Sequence, residues 1–438
     1  MNKRTFVKGA LLSVTILGSA HAHAQSVRTG IDVSAEAEAT TNPYMDEEES
    51  GWAGAGSVEV RPWYVRETAT DRISAEAFAR GRAFTNGINL EDTLGASLGV
   101  LHRSGPRRTF VGQAQVLSTS ARTNFSRFNQ GGFGSDPFSP GVPSLLEPIG
   151  QPGQPLQPGN GVTPIGNFDP GFGLGGIILP PLDDITIVGL RQRATSLSTS
   201  AGMNQQLDSL SSLNATLGYN RLWVAGEEAS GYDDVSLDLG YSRTISPRTS
   251  VGISARAGQA RYDNDFPKTT TLSAYVTGQH QISSRWTVSG SLGVSSSQSD
   301  GNQLVPEINQ VGLVGSISTC RLEERSQLCA NLSRSQLPSS IGRVQTSDSI
   351  NLTYNERFSS RDRIQIYVDY GRSSAPEDVD IGFERVEIAS VGTSFTRTFD
   401  RRFEGYVFGR AYRTYGGFSE NPNISLGIGI RARFGDQR

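Results

Sequence analysis

Side chains suited to nucleophilic, acid–base or metal chemistry near neutral pH are scarce in this chain. Beyond residue 24 only two histidines, His102 and His280, and two cysteines, Cys320 and Cys329, occur. Ser97 sits in a GASLG run (residues 95–99) that matches the nucleophile-elbow pattern, which presents a serine for acyl transfer where a strand turns into a helix. The residues around it instead alternate apolar and polar from 94 to 100, so Ser97 reads as a small side chain within a strand. A serine hydrolase also needs a histidine in hydrogen-bond reach, and nothing in the spacing of His102 or His280 supplies one. Residues 171–176 (GFGLGG) match a dinucleotide fingerprint, but Asp169-Pro170 precedes them and IILPP follows, where a strand and a helix are required. No group of residues has metal-ligand spacing. The acidic run at 46–49 reads as a solvated loop with, at most, weak affinity for calcium. The sequence predicts no catalytic residue, no metal and no cofactor.

The charged residues carry more information, because they alternate with apolar ones. In the first hundred residues Asp32, Glu36, Glu38, Glu59, Arg61, Glu76, Arg80 and Arg82 fall on one face of alternating runs. Arg256, Arg357, Arg363, Asp369, Arg431 and Arg433 do so later. Such a face suits a hydrated channel whose side chains set selectivity. It equally suits a wall braced by internal ion pairs, and both readings stand at this point.

Strands must position those charges. Residues 424–434 (ISLGIGIRARF) place Ile424, Leu426, Ile428, Ile430, Ala432 and Phe434 on one side and Ser425, Gly427, Gly429, Arg431 and Arg433 on the other. Similar runs recur from residue 31 onward, including one expected near Ile185, and add up to about 18 strands, an even number. Runs of 11 to 15 residues exceed the usual strand of a soluble sandwich but suit a tilted strand crossing a bilayer. Connections alternate in length. Short ones fall at 68–71, 104–107, 246–248, 283–285, 359–361 and 400–402. Longer ones fall at 42–50, 225–231, 299–305 and 374–380, with the longest at about 123–184. Short periplasmic turns and long external loops are the asymmetry of an outer-membrane barrel. Trp52, Trp63, Tyr64, Trp223, Tyr241, Trp286, Tyr354 and Tyr370 lie near run ends, where interfacial girdles sit. The expected fold is therefore all-β: a closed antiparallel transmembrane β-barrel of about 18 strands with up-and-down topology. Its partners would be outer-membrane lipid and lipopolysaccharide.

Residues 1–24 read as a cleaved secretory signal: Lys3, Arg4 and Lys8, a short apolar stretch, then Ala22-His23-Ala24 before Gln25. Its removal leaves 37 basic residues against 43 acidic ones, a net charge near −6 that argues against nucleic acid as a partner. Residues 25–438 then form the barrel domain. The Gly- and Pro-rich segment 123–184 is either a loop folding into the pore or an external excursion. In an exported protein the two cysteines are free to pair. Val311, Leu313 and Ile317 put Cys320 on the inward face of one strand; Leu328, Ala330 and Leu332 do the same for Cys329 on the next. The expected result is a hairpin disulfide on the periplasmic side.

Residues 329–342 (CANLSRSQLPSSIG), 347–354 (SDSINLTY) and 359–363 (SSRDR) resemble the proteobacterial outer-membrane β-barrel porins of exopolysaccharide loci. The likeness covers about the last 200 residues and is one of texture. It implies a Gram-negative outer-membrane pore passing a nascent polysaccharide together with periplasmic export proteins. Ile428, Ile430 and Phe434 would be the terminal-strand signal read by the barrel assembly machinery, with GDQR following the aromatic. Two other functions remain open: a barrel-embedded hydrolase of envelope lipid or glycan, and a surface scaffold or adhesin acting through 123–184.

Overall fold

A computed structural model describes residues 26–41, 51–85, 90–120, 193–225, 231–263, 267–301, 307–339, 343–374, 385–415 and 422–435. The expected signal, the acidic run at 46–49, the glycine-rich motif at 171–176, the segment 123–184 and the strand near Ile185 lie outside these residues.

Eighteen strands make up a single sheet. They are β1 (Ser26–Thr40), β2 (Ala53–Glu67), β3 (Asp71–Phe84), β4 (Glu91–Arg103), β5 (Arg108–Thr119) and β6 (Ala194–Gln206). There follow β7 (Ser211–Val224), β8 (Tyr232–Ser246), β9 (Thr249–Tyr262), β10 (Thr269–Gln281), β11 (Trp286–Ser299) and β12 (Ile308–Leu322). The last six are β13 (Ser326–Ser339), β14 (Arg343–Arg357), β15 (Asp362–Ser374), β16 (Arg385–Thr398), β17 (Phe403–Tyr415) and β18 (Asn423–Gly435). Each strand pairs antiparallel with its neighbours in sequence, and β18 pairs with β1 from Gly30↔Gly435 to Thr40↔Ser425. The sheet is closed and leaves no edge to cap.

Strict alternation decides which way each side chain points. Outward positions carry large apolar groups left open: Val311 is 73% exposed, Ile430 63% and Ile428 62%. In water such a surface would drive association; in a bilayer it meets acyl chains. A strand of 13 residues spans about 43 Å, or about 33 Å along an axis tilted by some 40°, enough to cross the hydrocarbon. The exterior is therefore that of a membrane-spanning barrel.

At one end the connections hold two to four residues, a pattern with a local cause. Ser283, Ser359 and Asp400 each turn a side-chain oxygen toward two backbone N–H groups of their own turn, at distances from 2.6 to 3.2 Å. At the other end the connections run up to residues 120–193.

One strand was missed and one expectation needs correction. Among the described residues the strand after β5 is β6, and the sequence pattern did not pick it out. Its outward positions are Thr195, Leu197, Thr199, Ala201 and Met203, so its alternation in hydrophobicity is faint. Trp63 is not part of a girdle: it faces inward, its ring lying over Gly30 of β1, where an added Cβ would stand 2.4 Å from it.

Candidate functional site: the barrel lumen

Closure between β18 and β1 brings both ends of the chain into one wall, running β15–β18 and on through β1–β4. The inward positions of this wall hold interlocked ion pairs. Nearest the short-turn end, Glu404 of β17 is the shared partner of Arg433 at 3.3 Å, Arg363 at 3.4 Å and Arg431 at 3.7 Å. Midway, Glu36 accepts from the Tyr406 hydroxyl at 2.7 Å, from Arg80 at 2.7 Å and from Ser57 at 3.1 Å. Beside it Arg61 bridges Glu59 at 2.8 Å and Glu76 at 2.9 Å. Toward the long-loop end, Glu38 lies between Arg82 and Arg410, the latter at 2.9 Å, and Arg82 also reaches Glu91 at 3.4 Å.

Aromatic rings pave the same wall. Tyr406, Phe408 and Tyr367 lie flat over Gly429, Gly427 and Gly392 on the adjacent strands, directly opposite in register. Glycine is what permits this: a Cβ at Gly429 would stand 2.4 Å from the Tyr406 ring. The rings are thereby sealed against the wall, each at most 6% exposed. Arg410 and Arg431 extend past them, 5.8 Å from the Phe408 ring centre and 5.9 Å from that of Tyr406.

The facing wall is mostly uncharged. On β10 to β14 the inward positions are largely serine, threonine and asparagine, cross-linked by Ser273–Ser295 at 2.9 Å, Ser291–Ser316 at 3.0 Å and Ser333–Ser349 at 2.6 Å. Arg256 of β9 faces Asp238 in register, 3.9 Å away.

The remaining inward candidates have distinct surroundings. Asp369, 6% exposed, accepts hydrogen bonds from the Asn351 amide and from Ser390 at 3.4 Å. Arg357 stands opposite Arg363 in the β14–β15 register, and its backbone N–H donates to the Arg325 carbonyl at 2.8 Å. Cys320 and Cys329 are register partners joined by a disulfide, Cα to Cα 4.2 Å, near the short-turn end. Ile428, Ile430 and Phe434 face outward on β18.

Glu404, Arg410, Tyr406 and Glu91 are central here yet carried no clear sign in the sequence. In β17 the inward positions Tyr406, Phe408 and Tyr412 are as bulky as the outward Phe403, Val407 and Tyr415, so hydrophobicity does not reveal the phase. The signal available was the neighbouring glycine ladder, Gly427 and Gly429, which needs aromatic partners across the strand.

Ser97 follows the inward set of β4, opposite Glu76, whereas His102 belongs to the outward set and holds Asp71 at 2.6 Å. The two lie on opposite faces of one strand. His280 contacts Thr249 at 2.9 Å.

No protein-family model and no curated protein matches this sequence. Solved structures with a similar chain path include Pseudomonas aeruginosa OccK2 (OpdF), at 9% identity and a TM-score of 0.46, covering 94% of this chain and 99% of that one. A BenF-like porin from Pseudomonas fluorescens Pf-5 gives 8% and 0.45 over the same shares. Pseudomonas aeruginosa OprD gives 9% and 0.40, covering 93% of this chain and 95% of its own. Likenesses of this size assign neither family nor solute, and what bears on function is the chain's own geometry.

Proposed function

We propose that this chain is an outer-membrane pore for small hydrophilic solutes, with its short turns in the periplasm. One observation carries the reading: a single closed sheet whose exterior is apolar and whose interior is ionised. Barrels of 16 to 18 strands are too wide for side chains alone to fill and leave an aqueous channel. The lumen chemistry agrees, since the guanidiniums of Arg61 and Arg80, though paired with carboxylates, stay 27% and 31% exposed, as a wet interior allows.

The resemblance to exopolysaccharide-locus porins would make the solute a growing glycan. Sugar recognition commonly uses open aromatic faces, and Tyr367, Tyr406 and Phe408 have theirs sealed over glycines. Small polar solutes fit a lining of paired charges and hydroxyls better. The hydrolase alternative loses its arrangement, because Ser97 and His102 sit on opposite faces of β4.

Planar-bilayer recording of refolded protein tests the pore. Stepwise ohmic conductance is expected, and liposome swelling should admit monosaccharides while excluding long oligosaccharides. A folded barrel with no conductance would overturn the reading.

A further inference from the structure

Five consecutive short turns share one composition. From β8 to β17 they read ISPR (245–248), ISSR (282–285), LEER (322–325), FSSR (358–361) and FDRR (399–402): an apolar residue, a polar one, a variable one, then arginine. In four of them the polar side chain takes the arginine's own backbone N–H: Arg248 at 3.3 Å, Arg285 at 3.2 Å, Arg361 at 3.0 Å and Arg402 at 2.6 Å. All five arginine carbonyls then accept an N–H from the next strand but one, from Gln281, Leu322, Arg357, Thr398 and Arg433 in turn. Their backbones are held in a fixed arc, while their side chains stand exposed. Arg285 lies 3.7 Å from Glu323; the other four have no ion-pair partner among the described residues.

The apolar members are equally open. Ile245 is 60% exposed, Ile282 56%, Phe358 50% and Phe399 59%, each continuing the outward set of its strand. Four of the five turns therefore offer an apolar group toward the bilayer and a guanidinium just beyond it; Leu322 of the fifth falls on the inward set of β12.

We propose that this arc binds anionic phospholipid headgroups of the periplasmic leaflet, one guanidinium to one phosphate. The inference rests on the reading of the chain as an outer-membrane barrel with periplasmic short turns. Guanidinium matches phosphate oxygens with paired N–H donors, and basic groups at a membrane surface favour anionic lipid. Spacing selects lipid over a free phosphate ion. Successive turns are two strands apart, about 10 Å, so the arginines do not converge on one anion but meet headgroups ranged along the rim. An acidic soluble partner would leave the neighbouring Ile and Phe groups unexplained. Turns 68–70 and 207–210 carry no arginine and isolate Arg107 of turn 104–107 between them, so the five form an arc and not a ring.

The test compares the native barrel with R248Q/R285Q/R325Q/R361Q/R402Q, both refolded into vesicles of equal phosphatidylglycerol and phosphatidylethanolamine, extracted gently and weighed by native mass spectrometry. The native barrel is expected to retain phosphatidylglycerol with roughly fivefold preference at each site, and the variant to lose it. Equal retention of both lipids by the native barrel, or an undiminished preference in the variant, overturns the proposal. Millimolar glycerol phosphate added during extraction should leave the lipid in place; displacement would assign the arc to soluble phosphates and overturn it too. Conductance recorded on the same samples separates the two readings: a conducting barrel without lipid preference refutes the arc alone, and lipid preference without conductance refutes the pore alone. Should the fivefold variant fail to fold, R361Q and R402Q singly should each lose one bound lipid, and retention of both would overturn the proposal.

Discussion

Replacing Glu404 by glutamine removes one carboxylate that serves three guanidiniums while preserving shape. Its side chain is 8% exposed, and Arg433, Arg363 and Arg431 stand 3.3, 3.4 and 3.7 Å from one of its oxygens. At an effective dielectric of about 20 each contact amounts to roughly 4 to 5 kcal/mol of Coulomb attraction, an upper figure. The arginines are 13–24% exposed, so lumen water screens part of this, and the lost attraction is offset in part by the carboxylate's desolvation. A net loss of about 2 to 4 kcal/mol of unfolding free energy follows, comparable to breaking a buried pair. The variant also leaves three neighbouring positive charges near the short-turn mouth. Two assays read the two consequences: urea unfolding in lipid vesicles, and reversal potential across a salt gradient in a planar bilayer. E404Q should unfold at lower urea and shift the reversal potential toward anions. E323Q, on an exposed turn, should move stability by less than about 1 kcal/mol. If E404Q matched the native protein in both measurements, the lumen pairs would be neither bracing nor field-setting, and the electrostatic account of the wall would fail.

Three further outcomes are expected. Reducing the Cys320–Cys329 disulfide, or replacing both cysteines by serine, should cost at most about 2.5 kcal/mol, the chain-entropy figure for so short a loop, read as a lower urea midpoint; thiol titration of unreduced, denatured protein should find none. Gly429→Val should lift the Tyr406 ring off the wall and lower single-channel conductance, and an unchanged conductance would show that the ring has room elsewhere. In the β6–β7 turn the backbone N–H of Leu210 chiefly holds the exposed Asp208 carboxyl below its ordinary range, with Ser211 assisting. The turn's stabilisation by that carboxylate is full above the ordinary carboxylate range and is lost as pH falls through the depressed folded value, so hydrogen exchange at both amides should become less protected only in strong acid.

Much of the architecture was legible because a barrel writes its period into every strand. Residues 424–434 alternate without a break, and the alternation of short and long connections sorts strand ends between the two rims of the barrel. The signal failed where the two faces differ least. In β6 the outward face has a single leucine among threonine, alanine and methionine, so strand and loop read nearly alike. In β17 aromatic rings occupy the inward face, and hydrophobicity no longer distinguishes lipid from lumen. Trp63 misled for the same reason: a tryptophan near a strand end suits an interface, and only the glycine opposite reveals that it turns inward. The charges on β1–β3 were readable as a set. Their partners were not, because Glu36 meets Tyr406 and Glu38 meets Arg410 across a separation of some 370 residues.

That long-range matching makes the two termini halves of one lock. A nascent chain that has not yet laid down β15 to β18 has only half of each cluster, Arg80 beside Glu36 and Arg82 beside Glu38, and Tyr406 and Arg410 complete them only in the final docking of last strand against first. Chimeras exchanged at one terminus alone should therefore misfit, whereas the hydroxyl-lined arc opposite should tolerate transplantation.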